Sequence, residues 1–139
     1  MKKIYFACLL FLIVTQPGCK KFIQQQEENA IVAAVTSGYW YVSEYLKNDS
    51  DITASFSGYL FKFDKNGTVV GTKDGASIQG VWTANIGAKQ ISSSFPSAGA
   101  PLKYLNETWN ITDSYTNFVT AKSTDTTDSS SNILQLKKQ

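Results

Sequence analysis

Residues 55–73 read SFSGYLFKFDKNGTVVGTK, and this stretch decides the fold class. Tyr59, Phe61 and Phe63 recur at a period of two, with Lys62 and Asp64 on the other face, which is typical of a strand with one buried face. The four residues at 64–67 (DKNG) follow directly. Asn-Gly is a strong hairpin signal because glycine supplies the positive φ that a tight turn needs. The stretch therefore predicts two antiparallel strands joined by a short turn.

The rest of the chain from Gly38 onward has the same pattern, in which short runs of aromatic and β-branched residues are separated by turn residues. Eight strands are predicted, at 39–47, 55–64, 67–73, 77–85, 89–95, 107–113, 115–122 and 131–137. Residues 101–105 (PLKYL) predict one helical turn, and residues 123–131 (STDTTDSSS) predict a polar flexible loop. Most links are too short for crossover helices, so neighbouring strands should pair antiparallel. The prediction is an all-β domain, an eight-stranded up-and-down barrel, with an open curled sheet or a sandwich as the alternative.

Alternation along each strand predicts which side chains point inward. In the first strand, Trp40, Val42 and Leu46 share the inner face, and Tyr41 and Tyr45 take the outer one. The inward residues predicted for the later strands are Ile78, Gly80, Trp82, Ala84, Trp109, Ile111, Leu134 and Leu136.

The chain begins with Lys2 and Lys3, followed by an apolar run of 11 residues at 4–14. This run is shorter than the ~20 residues that a membrane-spanning helix needs and has the length of a secretory signal. We therefore interpret residues 1–18 as a signal peptide. An uncleaved membrane helix is the weaker alternative, since Pro17 and Gly18 end the run.

Residues 15–19 (TQPGC) resemble the lipobox of bacterial lipoproteins, with Gly18 before the cysteine. Gln16 departs from the aliphatic residue usual in that family. The resemblance implies that Cys19 receives diacylglycerol and further acylation such as palmitate, which would anchor the chain stably in a membrane. Lys20 follows the cysteine in place of an inner-membrane retention aspartate, which favours the outer membrane; whether the domain faces the periplasm or the cell surface stays open. The alternative is a secreted protein with an incidental Cys19.

Residues 19–37 predict a lipidated tether that leads into a short helix. An apolar stripe that includes Ile31 and Val35 has helical spacing, and the helix should end at Ser37-Gly38. Such a helix could act as a spacer or cover one end of the domain at 38–139.

The composition excludes several classes of function. The chain has no His, and all 13 of its basic residues are lysines. Removal of Lys2 and Lys3 with the signal peptide leaves 11 basic and 11 acidic residues, so the net charge is zero. A neutral chain does not favour nucleic-acid binding, which needs clustered positive charge. Without His, and with Cys8 lost with the signal, we expect no disulfide, no metal site, no cofactor and no enzymatic activity.

Two Gly-x-Trp triplets, at 38–40 and 80–82, carry a second resemblance. The first resembles the opening motif of lipocalins, and residues 112–115 (TDSY) echo a second one, interrupted by Ser114. Lipocalins place an arginine over the tryptophan; this chain has none, and Lys137 or Lys138 is the substitute. The whole pattern is similar to short lipocalin-like lipoproteins of Bacteroidetes, which are largely uncharacterised. The resemblance implies a barrel and an envelope location but no ligand.

Aromatic side chains predicted to point inward form the candidate ligand site, together with one carboxylate. These residues are Trp40, Glu44, Tyr59, Phe61, Phe63, Trp82 and Trp109. They would line a pocket for a small apolar ligand, or they simply fill the core. A register slip or a bulge that turns Glu44 to solvent is the alternative at that position. With such a pocket the domain would be a binding or accessory module for a small apolar ligand or an envelope partner. A connected interior cavity of about 300 Å3 or more, lined by Tyr59, Phe61 and Trp82, would favour ligand binding, and a filled interior would contradict it and favour a structural or assembly role.

Overall fold

The computed structural model describes residues 18–124 and 129–139. Within these residues one helix, α1 (Gly18–Thr36), precedes nine strands. The strands are β1 (Trp40–Lys47), β2 (Ser50–Asp51), β3 (Leu60–Phe63), β4 (Thr68–Lys73), β5 (Ala76–Asn85), β6 (Gln90–Ser94), β7 (Thr108–Ser114), β8 (Phe118–Thr124) and β9 (Ser131–Lys138). Two 3-10 helices cover Thr53–Phe56 and Leu102–Leu105.

Eight antiparallel strands close into a barrel in sequence order, which confirms the predicted fold. Strands β3 to β8 each pair with the next strand along the chain, and β9 returns to pair with β1. That closing seam runs from Trp40↔Lys138 to Lys47↔Asn132. On its other side β1 meets β3 at a single residue pair, Trp40↔Phe61. Barrel closure therefore depends on the two ends of the domain meeting at the β1–β9 seam.

Helix α1 ends at Thr36, close to the predicted end, and Gly38, two residues later, has a φ of +74°. The segment predicted as a tether is helical from Gly18 onward. Of the predicted signal peptide, residues 1–17 lie outside the described part of the chain. No helix within the described residues is long and apolar enough to cross a membrane.

The second predicted strand, 55–64, is only partly a strand. Thr53–Phe56 forms a 3-10 helix, Gly58 at a φ of +83° reverses the chain, and β3 begins at Leu60. The helical turn predicted at 101–105 is present as the 3-10 helix Leu102–Leu105. Because these two segments follow the ends of β1 and β6, both lie at the end of the barrel remote from α1. Their buried side chains, Phe56, Leu102 and Leu105, close that end.

The predicted faces of β1 are wrong beyond Val42. A bulge between Val42 and Glu44 shifts the register against β9, and a bulge places two residues opposite one on the partner strand. Tyr45 therefore points inward and is 1% exposed, whereas it was expected outside. Leu46 pairs with Ile133, on the opposite face from Tyr45 and its partner Leu134. The inward positions predicted in β5, β7 and β9 are confirmed, since each is buried or packs against the core.

The predicted loop at 123–131 is shorter than expected. Ser123 and Thr124 belong to β8, and Ser131 begins β9. Residues 125–128, at its centre, lie outside the described part of the chain.

Candidate functional site

The junction between α1 and the barrel is built around Trp40. Its indole Nε1 donates to the carbonyl of Val35 in the last helical turn at 2.8 Å. The Lys138 ammonium lies 5.1 Å from the centre of the Trp40 ring and donates to Ser37 Oγ at 2.8 Å. Lys62 Nζ donates to the carbonyl of Thr36, the last residue of the helix. These cations face the negative end of the helix dipole, so the end of α1 is fixed to the barrel.

Of the two lysines suggested as substitutes for an arginine, Lys138 is thus the one over the tryptophan. Lys137 pairs with Tyr41 on the neighbouring strand and is exposed.

The barrel interior holds a small apolar cavity of about 50 Å3. Its wall includes Phe61, Phe95, Leu105 and Trp109. Ligand pockets usually measure about 300–1,000 Å3, so this cavity has room for a few carbon atoms and not for a whole ligand. The large aromatic side chains fill most of the interior.

Three of the seven predicted ligand residues line this cavity: Phe61, Phe63 and Trp109. The other aromatic residues pack elsewhere in the core. Trp82 donates from Nε1 to the carbonyl of Asp64 at 2.9 Å, and Tyr59 lies 6.1 Å from the ring of Phe61 and 5.2 Å from Lys73 Nζ.

Trp40 closes the helix end, and Glu44 does not face the interior. Glu44 pairs with Gln135 on the face opposite Tyr45, because of the bulge after Val42. The prediction that Glu44 shares the inner face is therefore wrong, and the alternative of a bulge is confirmed.

A second and larger space lies between α1 and the end of the barrel, and we call it the helix groove. Its volume is about 440 Å3. From the helix, Glu27, Ile31 and Val35 line it at four-residue spacing, which places them on one face. From the barrel, the apolar wall consists of Ile86, Ile91, Ile111 and Val119.

The helix groove and the interior cavity share part of their walls. Ile91, Ile111 and Val119 line both spaces. All three are half-buried, and Ile31 on the helix is 41% exposed. The groove therefore presents apolar surface to water, and part of that surface also bounds the interior cavity.

The polar rim of the helix groove carries Glu27, Asp113 and Lys89, together with uncharged side chains. Glu28 lines an adjoining cleft between the helix and the β5–β6 hairpin at 85–89. Within residues 18–124 and 129–139, no group of three acidic, cysteine or histidine side chains could hold a metal ion.

Sequence reasoning missed this groove as a site. The spacing of Glu27, Ile31 and Val35 could have indicated it, because an exposed isoleucine on one face of a helix suggests that this face packs against another surface. The positions of Ile91 and Ile111 beneath it follow only from the closed barrel.

Comparison with solved structures identifies a similar fold. A DUF4847 family protein from Bacteroides vulgatus ATCC 8482 superposes with a TM-score of 0.54 at 14% sequence identity. The match covers 78% of this chain and 99% of that one. No known protein family and no curated protein matches the sequence. The structural likeness supports the barrel fold alone.

Proposed function

We propose that this chain is a lipid-anchored lipoprotein of the cell envelope whose barrel is a binding module for a small apolar ligand. The observation that supports binding is the helix groove of about 440 Å3, in which three apolar wall residues, Ile91, Ile111 and Val119, also line the interior cavity. This volume falls in the range of ligand sites, whereas the cavity alone does not. The proposed site is therefore at the helix end of the barrel, with only the tip of the ligand reaching inside.

The anchor part of the proposal rests on Cys19. Cys19 is the second residue of α1, and the helix ends at Thr36. At 1.5 Å per residue the helix spans about 25 Å between them. A lipid on Cys19 would be held at that distance along a helix whose other end is fixed by Trp40, Lys62 and Lys138. The outer membrane is the proposed location.

A structural or assembly role without a ligand is the second candidate. The small interior cavity favours it, because aromatic side chains fill most of the barrel. The closed far end, with Phe56 2% and Leu102 1% exposed, also favours it.

Lipid anchoring is tested by replacing Cys19 with serine in the full-length protein. We expect the wild type to incorporate labelled palmitate and to sediment with outer-membrane vesicles, and Cys19→Ser to do neither. Labelling of the Cys19→Ser variant, or sedimentation of the wild type with inner membranes, would contradict this part of the proposal.

Ligand binding is tested by native mass spectrometry of a soluble form, residues 19–139 with Cys19→Ser. This chain retains the helix and all nine strands. After incubation with a lipid extract of the envelope, we expect one small apolar molecule to stay bound per protein. If nothing binds, the structural role is the better account.

A further inference from the structure

We propose that the helix groove selects amphiphiles with a single apolar chain and a cationic head group. This inference rests on the proposed binding function and names the chemical class of its ligand. The chain would enter between Ile31 of the helix and Ile91 and Ile111 of the barrel. Its tip would reach the cavity beside Trp109, and its head group would stay at the rim.

The shape of the site explains why the ligand should have a single apolar chain. The interior cavity of about 50 Å3 has room for the end of one alkyl chain, and the groove, which shares part of its wall, would hold the rest. The far end of the barrel is closed by Phe56, Leu102 and Leu105, each at most 5% exposed. The chain therefore enters from the helix end and stops inside the barrel.

The charges at the rim of the groove explain why the head group of the ligand should be cationic. Two carboxylates, Glu27 from the helix and Asp113 from β7, line the groove against one ammonium, Lys89. Glu28 adds a third carboxylate in the adjoining cleft. Within the described residues none of these carboxylates is in an ion pair with Lys89. An anionic head group would meet this excess of negative charge, and a cationic one would be attracted.

The probes are three molecules with the same ten-carbon chain: decyltrimethylammonium, decanol and decanoate. The protein is the soluble form, residues 19–139 with Cys19→Ser, below the micelle concentration of each probe. We expect the cation to bind about threefold to tenfold more tightly than the alcohol, because exposed charge pairs contribute modestly. Decanoate should bind most weakly, and added salt should reduce the difference between cation and alcohol.

A bromine atom at the tip of the probe's alkyl chain tests where that alkyl chain lies, since bromine quenches the fluorescence of a tryptophan that it touches. Trp109 lines the cavity, and Trp40 and Trp82 line neither the cavity nor the groove. We expect quenching by the brominated cation in the parent protein and loss of quenching, with binding retained by calorimetry, in Trp109→Phe. Each methylene removed from the chain should weaken binding about fourfold.

A matched pair of helix variants tests the groove itself. Ile31→Lys removes an apolar wall residue and adds a positive charge inside the groove, and Ala33→Lys makes the same charge change on an exposed position outside it. We expect Ile31→Lys to lose binding of the cation at least tenfold and Ala33→Lys to retain it. Both positions are exposed, so circular dichroism should show the parent fold in each.

The outcomes separate the two proposals. If none of the three probes binds, the proposed binding function fails together with this inference. If decanol or decanoate binds as tightly as the cation, binding stands and the cationic class is overturned. If the cation binds equally well to Ile31→Lys, the groove is not the site.

Discussion

At the scale of single residues, Trp40 connects helix α1 to the barrel. Its indole N–H satisfies the carbonyl of Val35 at 2.8 Å, and the side chain is only 2% exposed. Trp40→Phe keeps a ring at this position and removes the donor. A buried carbonyl left without its partner costs about 1–3 kcal/mol. We expect this loss in the free energy of unfolding, measured with urea.

The matched control for Trp40→Phe is Tyr39→Phe. Tyr39 is the preceding residue and is 51% exposed, so removal of its hydroxyl should change stability by less than about 0.5 kcal/mol. Equal stability of Trp40→Phe and Tyr39→Phe would show that the indole hydrogen bond does not hold the junction.

Asp51 is the residue at which we expect a measurable pH effect. Hydrogen bonds from the side chain and then the backbone N–H of Thr53 hold the pKa of Asp51 below its ordinary 3.8. A lowered folded-state pKa gives stability that is present above pH 3.8 and is lost as the pH falls through the lowered value. We expect NMR titration of the Asp51 carboxyl carbon to give a midpoint below 3.8.

Two variants check the cause of the Asp51 shift. Thr53→Ala removes the hydroxyl and should move the Asp51 midpoint back toward 3.8, and Thr53→Ser, which keeps the hydroxyl, should not. A midpoint at or above 3.8 in the parent protein would contradict the prediction.

At the scale of elements, strand β5 depends on Gly80. A Cβ at this position would lie 2.4 Å from the carbonyl oxygen of Ser94 and 2.8 Å from Cδ1 of Phe95. Neither neighbour can move freely, since Ser94 pairs with Val81 and Phe95 is 1% exposed. We expect Gly80→Ala to lower the free energy of unfolding by about 1–3 kcal/mol or more.

Gly99→Ala is the control for Gly80→Ala. No atom lies within 4 Å of the Cβ that it would add. Its stability should stay within about 1 kcal/mol of the wild type, with a small gain expected from the less flexible unfolded chain. If both variants unfold at the same urea concentration, close packing of Phe95 on Gly80 is not a constraint.

The elements that the sequence predicted well are those that depend on neighbouring residues. Asp64 to Gly67 forms a turn with Gly67 at a φ of +86°, as its Asn-Gly pair indicates. The strands on both sides follow from local alternation. The bulge after Val42 could be given only as an alternative for Glu44, because a bulge exists only relative to the register with β9. The same applies to the packing of Phe56, which depends on the remote end of the barrel.

At the scale of the whole molecule, the candidate site could also be predicted only in part from the sequence. Phe61, Phe63 and Trp109 were predicted to point inward, and they line the cavity. The size of that cavity depends on how side chains from all eight barrel strands pack together, and alternation does not give a volume. The helix groove needs α1 and the barrel together, so neither segment predicts it alone.

Closure of the barrel is a property of the whole molecule that truncation can test. Strand β9 pairs with both β8 and β1, and without it β1 keeps one residue pair with β3. A chain that ends at Ser130 would expose two unpaired strand edges, which promote aggregation. We expect this chain to be insoluble or oligomeric in size-exclusion chromatography. Addition of a synthetic peptide of residues 131–139 during refolding should restore a monomer.

A shorter truncation separates strand closure from the loss of the chain end. Removing Gln139 alone breaks one backbone hydrogen bond, from its N–H to the carbonyl of Tyr39. That bond should contribute about 0.5–1.5 kcal/mol, so the chain ending at Lys138 should stay monomeric and unfold cooperatively. A soluble monomer from the chain ending at Ser130, with the same urea midpoint, would mean that the remaining strands form a stable open sheet. The seam between β1 and β9 would then not be what holds the barrel together.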